Sequence, residues 1–165
     1  MGKSKFIIKI LAQASVLAAV LYIFISPISV RGVSMQSTLY DGDKIIVSRF
    51  MGWLGMYECG DIVVFHDDIN GEKRSIVKRV IAMEDDEVYI RGGRVYVNGM
   101  PVPEAYISGY TEGSMDMTVP KNCIFVMGDN RENSFDSRQY GSISKTRVRA
   151  KVIAKVYPLN DIRIY

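Results

Sequence analysis

A serine and a lysine are the residues of this chain whose types could carry covalent chemistry. Ser34 stands in the stretch Gly-Val-Ser-Met-Gln-Ser-Thr-Leu (residues 32–39), shortly after an apolar N-terminal segment. A serine hydroxyl becomes an effective nucleophile when a base takes its proton. The single histidine, His66, ends a strand-like segment beside two aspartates, which is typical of a surface residue. The remaining candidate base is a lysine kept neutral by burial away from water, and Lys78 is placed for that role.

Strand periodicity predicts the surroundings of Lys78. In the segment Ile-Val-Lys-Arg-Val-Ile (residues 76–81), alternate side chains of a strand share a face, so Ile76 and Val80 lie on the side of Lys78. Burial disfavours the ammonium form, lowers the lysine pKa and leaves an amine that can accept a proton near neutral pH. A lysine in a strand is more commonly solvated, so the strand by itself leaves both interpretations open.

A third segment, residues 128–138, concentrates polar groups directly after an apolar strand. It reads Gly-Asp-Asn-Arg-Glu-Asn-Ser-Phe-Asp-Ser-Arg. Loops that follow strands often carry functional groups. The same density of Asp, Asn and Ser is typical of a turn network held by side chains, and the segment can serve as both scaffold and site.

The N-terminal region predicts a membrane anchor. Residues 10–30 carry no charge, and a helix of that length spans roughly 30 Å, the thickness of a bilayer core. Three lysines precede this run and no acidic residue occurs before Asp41, so the positive-inside rule leaves the N-terminus in the cytoplasm. The prediction is an anchor over residues 1–30 and an extracytoplasmic domain over residues 31–165. A removable secretory signal and a buried core helix are the alternatives.

The domain after the anchor has the pattern of a β protein, with short runs of Val, Ile, Tyr and Phe between Gly, Asp and Asn. Gly92-Gly93 indicates a hairpin turn. The predicted strands cover residues 44–50, 61–66, 74–81, 87–90, 94–97, 123–127 and 148–157. The apolar, glycine-broken segment 50–57 is predicted as a loop, either folded over the core or forming an interfacial patch with Trp53 and Tyr57 at headgroup depth.

Charge and cysteine content exclude some classes of function. The net charge of +3 is modest and owes much to the N-terminal lysines, so no nucleic-acid partner is indicated. Cys59 and Cys123 are far apart and have no partners at metal-ligand spacing, which argues against a zinc site. A disulfide between them stays open at this point.

Four short motifs occur together and in order along the chain. They are Ser34-Met35 with Thr38-Leu39, Gly-Asp-Ile-Val-Val-Phe at 60–65, Lys-Arg-Val at 78–80, and Gly-Asp-Asn-Arg with Asp-Ser-Arg in 128–138. With them the chain resembles the type I signal peptidases, or bacterial leader peptidases, over nearly its whole length. The resemblance implies an all-β, mainly antiparallel, partly closed β-barrel-like catalytic domain behind one N-terminal transmembrane helix.

The resemblance also implies an activity and a location. It predicts a membrane-bound serine endopeptidase that removes signal peptides from exported preproteins on the outer side of the cytoplasmic membrane. The partners are secretory preproteins with small residues at the first and third positions before the cut, together with the lipid bilayer. No cofactor is implied, because a serine nucleophile and an amine base need neither metal nor nucleotide.

Site residues are carried over position by position. Ser34 would be the nucleophile, with its backbone N–H in the oxyanion hole, and Lys78 would be the general base. The Ser134 hydroxyl would orient the lysine amine, and Asp136 would pair with Arg138 to hold the loop. Asp129 and Arg131 would be structural.

Some positions depart from the family pattern. Gly32 stands where some members carry a second oxyanion hydroxyl, so that donor would come from the backbone or be missing. Ser37 replaces a usual proline, and residues 82–86 replace a turn with glycine and proline. The short stretch 100–121 suggests the compact form seen in Gram-positive bacteria.

Three other classes of function are weighed against this one. A self-cleaving Ser-Lys regulator would need a DNA-binding region where this chain has its apolar run. A signal-peptidase-like assembly factor would bind exported or pilus proteins without cleaving them, and loss of Ser34 or Lys78 would be expected there. A purely structural membrane protein would leave the dense segment 128–138 without a purpose.

Overall fold

Strands dominate the folded part of the chain. The computed structural model describes residues 2–69 and 72–165. The strands are β1 (Ile25–Ser29), β2 (Lys44–Ser48), β3 (Ile62–Ile69), β4 (Glu72–Ala82), β5 (Glu87–Arg91), β6 (Arg94–Val97), β7 (Met100–Pro101), β8 (Met115–Thr118), β9 (Cys123–Met127), β10 (Ile143–Ser144), β11 (Val148–Tyr157) and β12 (Arg163–Ile164). The helices are α1 (Gly2–Phe24), α2 (Arg49–Trp53) and α3 (Ser137–Tyr140), with short 3₁₀ turns at Arg131–Asn133 and Lys145–Arg147.

The strands form two sheets within the described residues. The larger has the order β1-β2-β11-β3-β4-β9-β10, with β12 on β11, and the smaller has the order β7-β6-β5-β8. Neighbouring strands pair antiparallel, for example β3 with β4 and β4 with β9. The prediction of a mainly antiparallel β fold is confirmed. The end strands β1 and β10 are not hydrogen-bonded to each other in the part of the chain that the structure describes.

The N-terminal helix ends before the uncharged run that predicted it does. α1 ends at Phe24, and β1 then pairs with β2, with Ile28 opposite Ile45. The prediction of one helix through residue 30 is therefore wrong at its C-terminal end. Pro27 explains the difference, because a proline removes a helix hydrogen bond and clashes with the preceding turn, whereas an edge strand tolerates it. Among the described residues, no helix combines the length and the apolar composition that crossing a membrane requires.

The segment after β2 begins as a helix, so its prediction as a strand to residue 50 and a loop thereafter is wrong there. Ser48 caps α2, and its hydroxyl accepts a hydrogen bond from the Met51 N–H. Gly52 packs against β11 so closely that an added Cβ would lie 2.5 Å from the Cα of Ala150. This contact needs a glycine, and it seats the short helix on the sheet.

The two aromatic residues predicted at headgroup depth have different environments. Trp53 is 78% exposed, as an interfacial residue would be. Tyr57 is 6% exposed and packs in the core with Val63 and Phe65, so its assignment to a surface patch is wrong. The apolar surface around Trp53 consists of Phe50, Trp53, Leu54 and Met56.

The remaining strand predictions are confirmed in position, with β3 and β4 extending beyond the predicted ends. The stretch 100–121 also holds two short strands, β7 and β8, that its turn-rich sequence did not predict. The Cys59 and Cys123 thiols are free.

Apolar clusters lie on both faces of the larger sheet. On β3, Ile62 and Val64 belong to one cluster, and Val63 and Phe65 belong to another. Such alternation is expected when both faces of a strand are buried. The same packing continues onto β4 and fixes the strand that carries Lys78.

Candidate active site

Ser34 and Lys78 are in hydrogen-bond contact beside strand β4 of the larger sheet. The Lys78 Nζ donates to the Ser34 Oγ at 2.7 Å. Lys78 lies on β4, and Ser34 lies in the turn between β1 and β2, 44 residues earlier. Within this turn the Leu39 N–H donates to the Met35 carbonyl, and both side chains are buried in the core. The turn therefore holds the serine in place through its apolar neighbours.

Burial changes the acidity of the Lys78 ammonium group. On β4, Ile76 and Val80 pack with one core cluster and Val77 with the other, so the predicted alternation is confirmed. Lys78 itself is 3% exposed. Desolvation by this burial lowers the pKa of Lys78 to about 8, although Asp136 and Asp129 act in the opposite direction. A substantial fraction of the amine is therefore neutral near physiological pH.

The polar segment 128–138 packs directly on the serine. The Asn130 N–H donates to the Ser34 carbonyl at 3.0 Å, and its side-chain amide donates to the Val33 carbonyl at 3.1 Å. Gly128 has no room for a side chain, since an added Cβ would lie 2.4 Å from the Ser34 carbonyl oxygen and 2.2 Å from the Ser134 Oγ. The glycine lets the two segments approach closely.

Asp129 joins three segments of the site. Its buried carboxylate accepts from the Arg79 Nε at 2.9 Å and from the Arg79 Nη2 at 2.6 Å. It also accepts from the hydroxyl of Thr38, four residues after the serine. A bidentate pair of this kind is among the stronger polar interactions, and loss of either partner would leave a buried charge. Sequence reasoning gave no role to Arg79 or Thr38, although Arg79 adjoins Lys78 and must point to the opposite face.

Ser134 and Asp136 are held within their own loop. The Ser134 hydroxyl donates to the Asp136 Oδ2 at 2.7 Å, and the Gly128 N–H donates to the same oxygen at 2.9 Å. Arg138 pairs with Asp136, its Nε at 2.9 Å from the Oδ1, and this is the pairing that the family resemblance implied. The hydrogen bonds of the described residues connect Ser134 with Asp136 and not with Lys78.

Arg131 extends the network away from the serine. Its guanidinium is buried, pairs with Glu104, and donates to the Thr111 hydroxyl at 2.7 Å. Its Nε also donates to the Gly128 carbonyl at 3.1 Å. These contacts tie the loop to the stretch between β7 and β8.

The backbone near Gly32 determines which N–H groups could donate a hydrogen bond to an oxyanion. Gly32 has a φ of +90°, and its N–H donates to the Asp41 Oδ1 at 2.7 Å, so this N–H is already used. In the described parts of the chain, the N–H of Ser34 makes no intramolecular hydrogen bond. It is free to donate to a substrate oxygen.

His66 lies apart from the serine. It faces Ser75 across the β3–β4 ladder, with its Nδ1 3.3 Å from the Ser75 hydroxyl. Lys78 faces Val63, three residues along the same ladder, or roughly 10 Å away at strand spacing. β3 continues to Ile69, so His66 lies inside the strand and is partly buried, and its prediction as a surface residue at a strand end is wrong.

A groove of about 720 Å³ opens above the serine and lysine. Its lining includes Ile28, Val64, Val77 and Phe135. β9 pairs with β4 from Arg79 onwards, so among the described strands none pairs with this edge of β4 before that residue. The groove can therefore accept an extended peptide.

A hydroxyl and a partly neutral amine at hydrogen-bond distance, below a groove, are the parts used by hydrolases in which serine attacks and an amine accepts its proton. The sequence profile of the family described as signal peptidase, peptidase S26, matches residues 4–157. The chain belongs to this family, and the resemblance seen in its motifs is confirmed.

Named relatives agree with that assignment. Signal peptidase I U of Bacillus subtilis is 32% identical over 172 residues, which cover 98% of this chain and 91% of the relative. Signal peptidase I T of the same organism is 35% identical over 170 residues, covering 92% and 86%. The crystal structure of a signal peptidase I from Enterococcus faecalis has 26% identity and a TM-score of 0.50, and the match covers 57% of this chain and 94% of that one.

Proposed function

We propose that this chain is a membrane-anchored endopeptidase that removes signal peptides from exported preproteins with Ser34 as nucleophile and Lys78 as base. The observation that carries the proposal is the 2.7 Å contact between the Ser34 Oγ and the Lys78 Nζ, combined with the burial of that lysine. The family membership supplies the class of substrate.

The proposed reaction is an acyl transfer in two steps. The neutral Lys78 amine accepts the Ser34 proton while the Oγ attacks the scissile carbonyl carbon. The Ser34 N–H donates to the oxyanion of the tetrahedral intermediate. The Lys78 ammonium then returns the proton to the leaving amine, and an ester remains on Ser34. A water molecule, deprotonated by Lys78, hydrolyses this ester and releases the signal peptide.

The supporting residues act through geometry. The Ser134 hydroxyl is fixed by Asp136, and Arg138 holds Asp136 in place. In this proposal the Ser134 oxygen contacts the lysine amine when the amine rotates during proton transfer. Asp129 keeps Thr38 and Arg79 together, so the serine turn and the lysine strand keep their spacing.

The substrate would bind as an extended strand along the open edge of β4, with its scissile carbonyl at Ser34. We expect the purified full chain, in detergent, to cut a precursor once after an alanine-containing junction. Replacing the alanine directly before the cut with leucine or phenylalanine should lower kcat/KM by more than about tenfold, because a small pocket excludes bulky groups. Mass spectrometry of the products would locate and quantify the cut.

The same experiment distinguishes the peptidase from a non-catalytic assembly factor. A precursor with the bulky residue moved four positions upstream serves as the matched control and should be cut normally. If the wild-type chain binds the precursor without cutting it, the assembly-factor interpretation replaces the peptidase. Equal rates for the alanine and bulky junctions would contradict small-residue selection.

Although no described helix combines the length and the apolar composition for crossing a membrane, we propose α1 as the anchor, because its 23 residues extend roughly 34 Å and the lysines near its start can reach the headgroup region. Its side chains include Leu11, Val16 and Leu17, each about 60% exposed or more, and water is a poor solvent for such a helix. In this proposal the lysines before residue 10 favour, by the positive-inside rule, an N-terminus in the cytoplasm and a β domain outside, at the cytoplasmic membrane. The apolar surface around Trp53 would lie close to the lipid headgroups.

We expect the full chain to float with lipid vesicles and to resist carbonate extraction. Substituting lysine at both Leu11 and Leu17 should release most of the protein, because a charge in the hydrocarbon core costs roughly 3 kcal/mol per residue. Leu159→Lys, a change at an exposed position outside α1, is the matched control and should stay bound. Unchanged membrane binding of the double variant would rule out α1 as the anchor, and loss of α1 from the mature protein would indicate a removable signal.

A further inference from the structure

Phe135 is an exposed aromatic residue inside the most tightly bonded loop of the site. Its side chain is 67% exposed and borders the groove. Single exposed apolar residues are common on protein surfaces and need no function. Phe135 differs from such residues because it borders the groove beside the reacting serine and lysine. The reaction proposed above gives it no role.

The backbone explains why this ring points outwards. Ser134 and Asp136 are both in extended conformation, with φ values of −130° and −150°. Neighbouring residues of extended backbone point to opposite sides. Since the side chains of Ser134 and Asp136 are buried in the loop network, Phe135 must face the solvent and the groove.

The ring is also held rigidly. The Arg138 guanidinium donates to the Ser134 carbonyl at 3.3 Å, and the Asp136 N–H donates to the Gln139 side chain at 2.9 Å, so the backbone on both sides is fixed. The ring packs edge-on against Tyr140 of α3, with centroids 5.4 Å apart. A rigid aromatic group loses little conformational entropy when a ligand contacts it, and such groups often dominate recognition.

Phe135 lies at the end of the groove where the reacting groups meet. The Ser134 Cβ and the Ser34 carbonyl oxygen would lie 2.6 Å and 2.4 Å from the same point, an added Cβ at Gly128. The residue before Phe135 therefore adjoins the serine backbone. Because Ser34 and Phe135 line the same groove, a peptide bound there with its scissile bond at Ser34 would run close to this ring.

We propose that Phe135 is a specificity-determining residue that packs against one apolar side chain of the preprotein close to the scissile bond. This inference rests on the proposed peptidase function and adds a substrate preference to it. The groove also carries Lys78 and the exposed Arg31, so a basic side chain at this place would meet like charge as well as an apolar surface. The preference is therefore for apolar over basic residues.

The test uses precursors that keep alanine at the first and third positions before the cut. The second position before the cut and the first two after it are set, one at a time, to leucine or lysine. The ratio of kcat/KM for leucine over lysine is measured for the wild-type full chain, Phe135→Ala, Phe135→Tyr and the control Leu159→Ala. Thermal unfolding of each variant is recorded alongside.

We expect the ratio at one position to fall by about tenfold in Phe135→Ala, to persist in Phe135→Tyr and Leu159→Ala, and to change without loss of Tm. Ratios that stay the same at all three positions, with normal wild-type cleavage, would overturn the role of Phe135 and leave the peptidase function standing. A uniform loss of rate with a lowered Tm would show that the ring only supports the loop. Absence of cleavage by the wild type would refute the peptidase function and this inference together.

Discussion

Ser34→Ala is expected to lower kcat for precursor cleavage by about 10⁴-fold or more, and Lys78→Ala by a similar factor. The serine variant has no group that can form the ester. The lysine variant keeps the hydroxyl but has no base at 2.7 Å to take its proton. Because the two groups act as one unit, the double variant should be about as inactive as either single variant. Single-turnover cleavage of a labelled precursor, followed by mass spectrometry, measures these rates.

Matched controls separate chemistry from folding. Ser114→Ala changes an exposed serine, and Lys121→Ala breaks an exposed ion pair with Asp85, which contributes little to stability. Both should cleave at the wild-type rate, and all variants should bind the precursor. A folded Ser34→Ala or Lys78→Ala protein that retains more than about a hundredth of the wild-type activity would contradict the assignment of nucleophile or base.

The rate of cleavage is expected to rise with pH and to level off above about pH 8. Burial lowers the pKa of Lys78 from 10.5 to about 8, and only the neutral amine can accept the serine proton. Below the pKa, the neutral fraction falls about tenfold for each pH unit, so kcat/KM at pH 6 should be roughly 50-fold lower than at pH 8. A pH profile of kcat/KM, measured at constant ionic strength, tests this expectation.

The free energy of unfolding of the domain should also depend on pH through Lys78. Between pH 8 and 10.5 the unfolded chain holds a proton on Lys78 that the folded chain has released, so this group makes the free energy of unfolding increase with pH across that window. Below about pH 8 both states are protonated, and the cost of burying the ammonium group is then largest. Lys78→Met should lose this dependence. A rate of cleavage that keeps rising about tenfold per pH unit from pH 8 to pH 10 would contradict the lowered pKa of Lys78.

Sequence periodicity predicts which apolar side chains share the face of Lys78, because a strand permits only two directions for a side chain, but it leaves open whether the lysine is buried. It could not predict the distance to Ser34, which depends on how a turn 44 residues earlier packs on the core. The motifs supplied that pairing only through their likeness to a family. The geometry shows the physical basis in Gly128, where the absence of a side chain lets the polar loop reach the serine carbonyl.

The errors also have identifiable causes. The uncharged run to residue 30 predicts one helix because hydropathy dominates such a prediction, whereas Pro27 is unfavourable in a helix and is tolerated in an edge strand. The segment after residue 48 was assigned to strand and loop although Ser48 provides a helix cap. Arg79 was given no role because its partner, Asp129, lies 50 residues further along the chain. Each of these features depends on contacts that a local pattern does not contain.

Because Asp129 bonds to two distant segments of the chain, the active site can form only after those segments have folded together. Its carboxylate joins Thr38, 91 residues away, to Arg79, 50 residues away, and each partner lies close to a reacting residue. Closing chain loops of this size costs entropy that is recovered only when the strands between them have assembled. An incomplete or partly unfolded chain therefore has no aligned serine and lysine. The proposed peptidase is therefore expected to lack activity until its fold is complete.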